Sequence, residues 1–123
     1  MIIEKKLPPL PYSYLCVDEF QDSSPDQVRL LLVHGVSGTR IIVSGDDDQS
    51  IYSWRGAKGV DAFKSIRDKL GARLFLLSTN YRSYTEITEI ANTVITRNKN
   101  RIDKTITSKK GTGGTVTLTL YKT

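Results

Sequence analysis

Three short, mostly apolar runs in the first part of the chain have the length of buried β-strands. They are Tyr14–Val17, Arg40–Val43 and Arg73–Leu77. A short apolar run without polar alternation is typical of a strand that is buried on both faces of a sheet. We therefore predict three such strands, and we place Cys16, within the first of them, in the core.

Helical patterns separate these strands. Residues 24–27, Ser-Pro-Asp-Gln, form a capping box with proline at the first helical position, and we expect this helix to end at Gly35. His34, in its last turn, is expected to be a helix-end cation or a surface group. A further helix is predicted over Gly59–Leu70, with Gly71 as its stop. The order strand, helix, strand, helix, strand predicts an α/β fold with a parallel sheet and right-handed crossovers.

The rest of the chain predicts one more helix and one more strand. Residues 83–86, Ser-Tyr-Thr-Glu, form a second capping box and open a helix that ends near Asn98. Its apolar face would contain Ile87, Ile90, Ala91, Val94 and Ile95. Residues 115–121 alternate strictly, which predicts a half-buried strand with Val116, Leu118 and Leu120 on one face. We expect the chain to stop inside a domain, so that this strand leaves an unpaired edge through which two copies could dimerise.

The composition is that of an ordinary globular protein, but the charge is unevenly distributed. The chain is 38% hydrophobic and 25% charged, it has no apolar run of membrane-spanning length, and its N-terminus does not resemble a signal peptide. The single cysteine cannot form an internal disulfide, so we expect a reducing, cytoplasmic setting and no membrane partner. Residues 1–57 carry five basic and eight acidic side chains (net −3), whereas residues 58–123 carry thirteen and five (net +8). This asymmetry favours a nucleic-acid partner only weakly.

Polar residues follow each predicted strand. Asp18 and Glu19 follow the first strand, Asp46 the second and Asn80 the third. In parallel sheets, ligands gather at the carboxyl edge of the strands, where we expect these side chains to lie. An Asp-Glu pair at this edge suits phosphoryl transfer, because one carboxylate can hold Mg²⁺ while the other orients or deprotonates an attacking water.

The segment 43–57 combines three adjacent acids, an amide, two aromatic residues and an arginine. Adjacent carboxylates repel one another, and a core does not need this mixture, so the segment has the character of a site. We hypothesise that one end faces a nucleotide phosphate and the other a nucleic-acid base. The alternative is an acidic turn followed by a Tyr/Trp pair that only packs in the core. Asp47 and Asp48 are expected only to shape the turn, by capping backbone N–H groups.

Three motifs give this site a family resemblance. Residues 18–22 (Asp-Glu-Phe-Gln-Asp), 45–57 (Gly-Asp-Asp-Asp-Gln-Ser-Ile-Tyr-Ser-Trp-Arg-Gly-Ala) and 77–83 (Leu-Ser-Thr-Asn-Tyr-Arg-Ser) resemble motifs II, III and IV of the UvrD/Rep/PcrA family of superfamily 1 DNA helicases. The resemblance implies a partial RecA-like (P-loop NTPase type) parallel sheet with flanking helices over residues 1–82, and the start of a second RecA-like domain over residues 83–123. It also implies ATP and Mg²⁺ as cofactors. The implied partners are single-stranded DNA, duplex junctions and the remainder of the helicase chain.

Residue by residue, the resemblance implies an ATP side and a DNA side. On the ATP side it implies Asp18 as the Mg²⁺ ligand, Glu19 as the catalytic base and Tyr81 as the residue that stacks on adenine. It also implies that Gln49 contacts the γ-phosphate or its attacking water, and that Arg82 reaches the γ-phosphate and stabilises the charge that develops in transfer. On the DNA side it implies Tyr52, Trp54, which stacks on a base, and Arg55, which supports that end of the motif.

The chain departs from the family in two respects. It contains no Gly-x-x-x-x-Gly-Lys-Ser/Thr phosphate loop, and residues 111–114, Gly-Thr-Gly-Gly, lack the lysine. The later motifs of the family are also absent. We therefore predict an interior fragment of an ATP-dependent DNA helicase that hydrolyses ATP negligibly by itself. Two alternatives stay open: a non-catalytic module that binds single-stranded nucleic acid, and a piece that complements a separate chain carrying the loop. Glu19 favours the enzyme, because a pure binding module does not need a catalytic base.

Overall fold

The computed structural model describes residues 8–51 and 56–121. Its contacts divide the chain into two compact units, Met1–Leu74 and Phe75–Thr123. Each unit contains a two-stranded parallel sheet with helical elements, so the fold is α/β as predicted. No helix within the described part of the chain is long and apolar enough to cross a membrane.

The sheet of the first unit pairs β1 (Tyr14–Val17) with β2 (Arg40–Val43), and the pairing is parallel. Both strands and their orientation were predicted correctly, but burial on both faces was not. Leu15 and its neighbour Ile41 lie on the half-buried face, whereas Cys16 and its neighbour Ile42 are exposed. The prediction of a core cysteine was therefore wrong. The pattern of an apolar run shows that a strand suits burial, but it does not show which layers cover it.

Helix α1 (Pro25–Val36) connects the two strands and begins at the predicted capping box. The backbone N–H of Gln27 donates to Ser24 Oγ at 3.3 Å, and the Ser24 N–H donates to Gln27 Oε1 at 2.8 Å. The helix does not stop at Gly35, which lies in its last turn. A Cβ at position 35 would be 2.5 Å from Leu70 Cδ1, so glycine here permits a close approach to the next helix rather than a stop.

The core of the first unit lies between its helices and the inner face of its sheet. Helix α2 (Val60–Leu70) ends at Gly71, whose φ of 62° is left-handed, as predicted. The cluster of buried apolar side chains contains Phe20, Val28, Leu31, Ala62 and Ile66. The ring of Phe20 meets that of Phe63 edge to face, with centroids 5.2 Å apart.

His34 belongs to this interior, and the prediction of a surface or helix-end role was wrong. The side chain is 1% exposed. Its Nδ1 lies 2.9 Å from the Leu30 carbonyl oxygen, and its Nε2 accepts the Leu10 N–H at 3.2 Å. Because a carbonyl only accepts and an N–H only donates, this pattern requires the tautomer with its proton on Nδ1. His34 thus fixes the segment before β1 onto helix α1.

The second unit has its own sheet, in which β3 (Thr79–Asn80) pairs in parallel with β4 (Thr107–Ser108). The predicted strand over Arg73–Leu77 is wrong, because these residues form no strand and Leu77 is 90% exposed. The prediction of a strand over residues 115–121 is also wrong, since Leu118 is 84% exposed and no strand forms there. A strand needs a neighbouring backbone as well as apolar side chains, and only the tertiary structure provides one.

Helix α3 (Thr85–Ile95) begins after Tyr84, and the predicted cap by Ser83 is absent. Glu86 does not complete a capping box either; its carboxylate accepts the N–H groups of Gly113, at 3.0 Å, and Gly114, at 3.0 Å. The helix ends at Ile95, three residues before the predicted end. Its predicted apolar face remains largely exposed in the described chain: Ile87 is 40%, Ile90 47% and Val94 61% exposed.

Candidate active site at the carboxyl edge of the first sheet

Asp18 lies directly after β1 and is tied to the residue that follows β2. Its Oδ1 accepts the Ser44 hydroxyl at 2.7 Å and the Glu19 N–H at 3.0 Å. These two hydrogen bonds hold the pKa of the Asp18 carboxyl below its usual value, and the bond from the Ser44 hydroxyl has the larger effect. The carboxylate is exposed and remains ionised at neutral pH, so it can act as a hard oxygen ligand.

Glu19 adopts an unusual backbone conformation. Its φ and ψ are 49° and 41°, and among the described residues it is the only one other than glycine with a positive φ. A left-handed conformation in a residue with a Cβ costs about 1–2 kcal/mol, so the surrounding contacts must hold it. The next residues form a 3-10 turn (Phe20–Asp22), and the Phe20 N–H donates to the Ser44 carbonyl at 2.9 Å. The exposed Glu19 side chain is thereby anchored through its backbone next to the end of β2.

Gln21 contacts both acidic segments, although it was not predicted to be a site residue. Its side chain is 2% exposed. Its Nε2 donates to Glu19 Oε2 at 2.7 Å, and its Oε1 accepts the Asp46 N–H at 3.1 Å. The signal in the sequence was the glutamine at the fourth position of the Asp-Glu-Phe-Gln-Asp motif, but the motif alone does not say which groups it joins.

Asp46 organises the turn that carries Gln49. It caps a 3-10 turn (Asp47–Gln49), where Asp46 Oδ1 accepts the Asp48 N–H at 3.2 Å and Oδ2 accepts the Gln49 side-chain amide at 2.6 Å. Asp46 therefore caps a backbone N–H of this turn, a role that the sequence did not predict for it. Asp46, Asp47 and Asp48 each offer a carboxylate oxygen, and these oxygens lie within 4.8 Å of one another. Exposed acidic groups often adopt such an arrangement without binding an ion.

The second unit carries the other predicted phosphate and adenine contacts. Asn80, at the end of β3, accepts the N–H groups of Arg82 at 2.8 Å and Ser83 at 2.9 Å through its Oδ1. This turn leaves Tyr81 73% exposed and Arg82 exposed as well. An exposed ring and an exposed guanidinium one residue apart can reach a base and a phosphate, respectively.

The structure thus brings together some of the predicted site residues and not others. Asp18, Glu19, Asp46 and Gln49 are linked through hydrogen bonds at the carboxyl edge of the β1–β2 sheet. Asn80 was expected at that same edge, but it belongs to the β3–β4 sheet. The three predicted DNA contacts, Tyr52, Trp54 and Arg55, lie outside the described residues.

Comparisons with known proteins agree on one family. Residues 9–70 match the model of the UvrD/REP helicase N-terminal domain. The chain is 40% identical over 100 residues to the ATP-dependent DNA helicase Rep of Escherichia coli, covering 81% of this chain and 15% of that protein. It is 36% identical over 110 residues to the ATP-dependent DNA helicase Rep of Buchnera aphidicola (89% and 17%), and 36% identical over 106 residues to the ATP-dependent DNA helicase PcrA of Leuconostoc citreum (86% and 14%). The chain therefore spans about a sixth of the length of these relatives.

Proposed function

This chain belongs to the UvrD/REP helicase family, and on that basis we propose that it is a segment of an ATP-dependent DNA helicase. In the full-length protein, the segment would help couple ATP hydrolysis to movement on single-stranded DNA and to duplex unwinding. The observation that carries the proposal is the hydrogen-bonded edge of the first sheet, where Asp18 accepts the Glu19 N–H and Gln21 and Asp46 link Glu19 to Gln49. A site of this kind presents ionised oxygens and an amide to a metal-bound polyphosphate.

Each side chain at this edge has a proposed role. Asp18 would hold Mg²⁺, and the lowered pKa of its carboxyl suits a ligand that must remain ionised. When bound, Mg²⁺ supplies charge neutralisation on the phosphates. Glu19 would accept the proton of the attacking water, and Gln49 would contact the γ-phosphate or that water. Holding two reactants in a fixed geometry is the main contribution of a protein to phosphoryl transfer.

The remaining roles belong to other parts of the chain. Tyr81 would stack on adenine and Arg82 would stabilise charge on the γ-phosphate, which their exposure supports. Trp54, Tyr52 and Arg55 would contact single-stranded DNA by stacking and charge, a mode of binding that does not depend on base sequence. The division into two compact units supports a segment that includes parts of two RecA-like domains. The boundary that we propose from the motifs lies between residues 82 and 83, whereas the compact units divide between Leu74 and Phe75.

The test is the DNA-stimulated ATPase activity of the full-length protein that carries this segment. Glu19→Gln removes the proposed base while keeping its size, so we expect kcat to fall by about 100-fold or more. Glu89→Gln is the matched control, because this glutamate is exposed on α3 and has no proposed role; its kcat should stay at the wild-type value.

The isolated 123-residue chain should hydrolyse ATP negligibly, because it contains no phosphate loop. Wild-type rates in the Glu19→Gln protein would contradict the proposed base. A full-length protein that binds single-stranded DNA without any ATPase activity would favour the non-catalytic binding module instead.

A further inference from the structure

Beyond these roles, and resting on the proposed ATPase function, we propose that Gln21 is the positioning residue of the site. Its buried amide sets the distance between the carboxylate of Glu19 and the turn that holds Gln49. In this proposal, Gln21 contacts neither ATP nor the attacking water. It acts on the reaction through the two side chains that do.

The two ends of the Gln21 amide are matched to different partners. Its NH₂ end meets Glu19 Oε2, which can only accept when ionised, and its oxygen meets the Asp46 N–H, which can only donate. A flipped amide would place an oxygen against a carboxylate and an NH₂ group against an N–H. The neighbours therefore allow one orientation of the side chain, and that orientation joins the segment after β1 to the segment after β2.

Burial makes this link rigid. Gln21 is 2% exposed, so neither of its polar ends can exchange its partner for bulk water. Its backbone is held too, because its carbonyl oxygen accepts the N–H of Gly59, at the start of α2, at 3.2 Å. The glutamine is thus anchored from a third element while its side chain spans the site.

Gly45 keeps space for the amide. A Cβ at this position would collide with Gln21 Oε1 and lie 2.9 Å from the Phe20 nitrogen. The glycine before the three aspartates is therefore explained by the close approach of Gln21.

The link continues from Asp46 to Gln49. The Asp46 backbone donates to Gln21, while Asp46 Oδ2 accepts the Gln49 amide at 2.6 Å. Three hydrogen bonds, all within the first unit, thus connect the proposed base with the proposed γ-phosphate contact. A displacement of Gln21 would move both, and a shift of about 1 Å in a reacting geometry can lower a rate by roughly 100-fold.

The decisive variant is Gln21→Met, which keeps the volume of the buried side chain but cannot hydrogen-bond to Glu19 or Asp46. In the full-length protein with saturating single-stranded DNA, we expect kcat for ATP to fall about 10-fold to 100-fold, with KM for ATP within about 3-fold of the wild type. Gln27→Ala is the matched control. It removes a glutamine whose side chain also bonds the backbone, but at the start of α1, and kcat should not change.

A double-mutant cycle separates positioning from general damage to the fold. If Gln21 acts through Glu19 and Gln49, adding Gln21→Met to Glu19→Gln should lower kcat by a smaller factor than Gln21→Met does in the wild type, because only the placement of Gln49 can still be lost. Independent effects would multiply. Multiplying losses would overturn the proposal, and so would a Gln21→Met protein with kcat within about 2-fold of the wild type.

If the Gln21→Met protein does not fold, a second variant and a second measurement still test the proposal. Gln21→Glu can still accept the Asp46 N–H, but it faces Glu19 with a like charge and should lower kcat as well; full activity would overturn the proposal. In the 123-residue chain without nucleotide, the side-chain amide protons of Gln21 should exchange with water more slowly than those of Gln27, and Glu19→Ala should accelerate them. Equal exchange rates would contradict the link. A wild-type protein without ATPase activity would instead overturn the proposed function itself, and the positioning role with it.

Discussion

Asp18 shows how a single exposed carboxylate acquires its electrostatic character from a neighbouring strand. The Ser44 hydroxyl and the Glu19 N–H, both of them uncharged donors, lower the pKa of its carboxyl. Ser44 lies 26 positions away in the sequence and reaches Asp18 because β1 and β2 are adjacent and parallel. The motif predicts the carboxylate, whereas the hydroxyl that lowers its pKa is recognised only in the fold.

Ser44→Ala should therefore raise the pKa of the Asp18 carboxyl towards its usual value of 3.8, because the largest of the lowering contacts is lost. A pKa that is lower in the folded than in the unfolded chain stabilises the fold above pH 3.8, and this contribution disappears as the pH falls through the folded-state value. In the variant, protonation should begin at a higher pH. An NMR titration of the Asp18 carboxyl carbon measures the shift directly.

Ser37→Ala is the control for this titration, because the Ser37 hydroxyl donates to the Val33 carbonyl at the end of α1 instead. It should leave the Asp18 titration unchanged. An identical titration of Asp18 in the wild type and in Ser44→Ala would show that the hydroxyl does not act on the carboxylate.

The two capping boxes show that the same local pattern can have different outcomes at the level of the element. Ser24 caps α1 and its box is complete, with Pro25 in the first turn. Ser83 is followed by the same spacing, but its N–H is bound by Asn80 and its predicted partner Glu86 is engaged by two glycine N–H groups. These glycine N–H groups, that of Gly113 above all, hold the pKa of Glu86 below its usual value. Long-range partners thus compete successfully with a local cap.

Ser24→Ala should lower the free energy of unfolding of the 123-residue chain by about 1 kcal/mol, because α1 loses the acceptor for the Gln27 N–H. Ser83→Ala is a matched substitution at a capping box that does not form, and it should change the stability by less than about 0.5 kcal/mol. Urea denaturation followed by circular dichroism distinguishes the two. A larger loss in Ser83→Ala than in Ser24→Ala would contradict the boundaries of α1 and α3.

Strands were harder to predict than helices for a physical reason. Helix α2 carries its periodicity and its glycine stop within one segment, and its bounds agree with the prediction. The apolar run over residues 73–77 and the alternating apolar pattern over residues 115–121 both predict strands, yet neither segment forms one. The strand Thr79–Asn80 has no apolar pattern at all, and it exists because Thr107–Ser108 lies beside it.

At the scale of the whole molecule, charge and exposed aromatic side chains bear on the proposed DNA contact. The chain has a net charge of +5, and its basic side chains are concentrated after residue 57. Basic charge favours salt-dependent binding of a polyanion.

The dimer expected from the sequence has lost its structural basis, because it depended on a strand over residues 115–121, and these residues form no strand.

Trp54→Ala should weaken binding of fluorescently labelled oligo-dT to the full-length protein by about 1–3 kcal/mol, because one stacking contact is lost. Tyr121→Ala is the matched control, since it removes an aromatic side chain that is 87% exposed and has no proposed role. Fluorescence anisotropy at several salt concentrations measures both effects, and wild-type affinity should fall as salt rises. Unchanged affinity in Trp54→Ala would remove the stacking role.

The sequence by itself determined the family, the first two strands, the start of α1, the extent of α2 and the carboxylates at the end of β1. These features depend on residues that are close together in the chain, where spacing, capping and periodicity act directly. Only the tertiary structure decided that His34 is buried, that Cys16 is exposed and that Gln21 joins Glu19 to Asp46. Burial and hydrogen bonding at these positions depend on which distant segments are adjacent in space, and a local pattern does not contain that information.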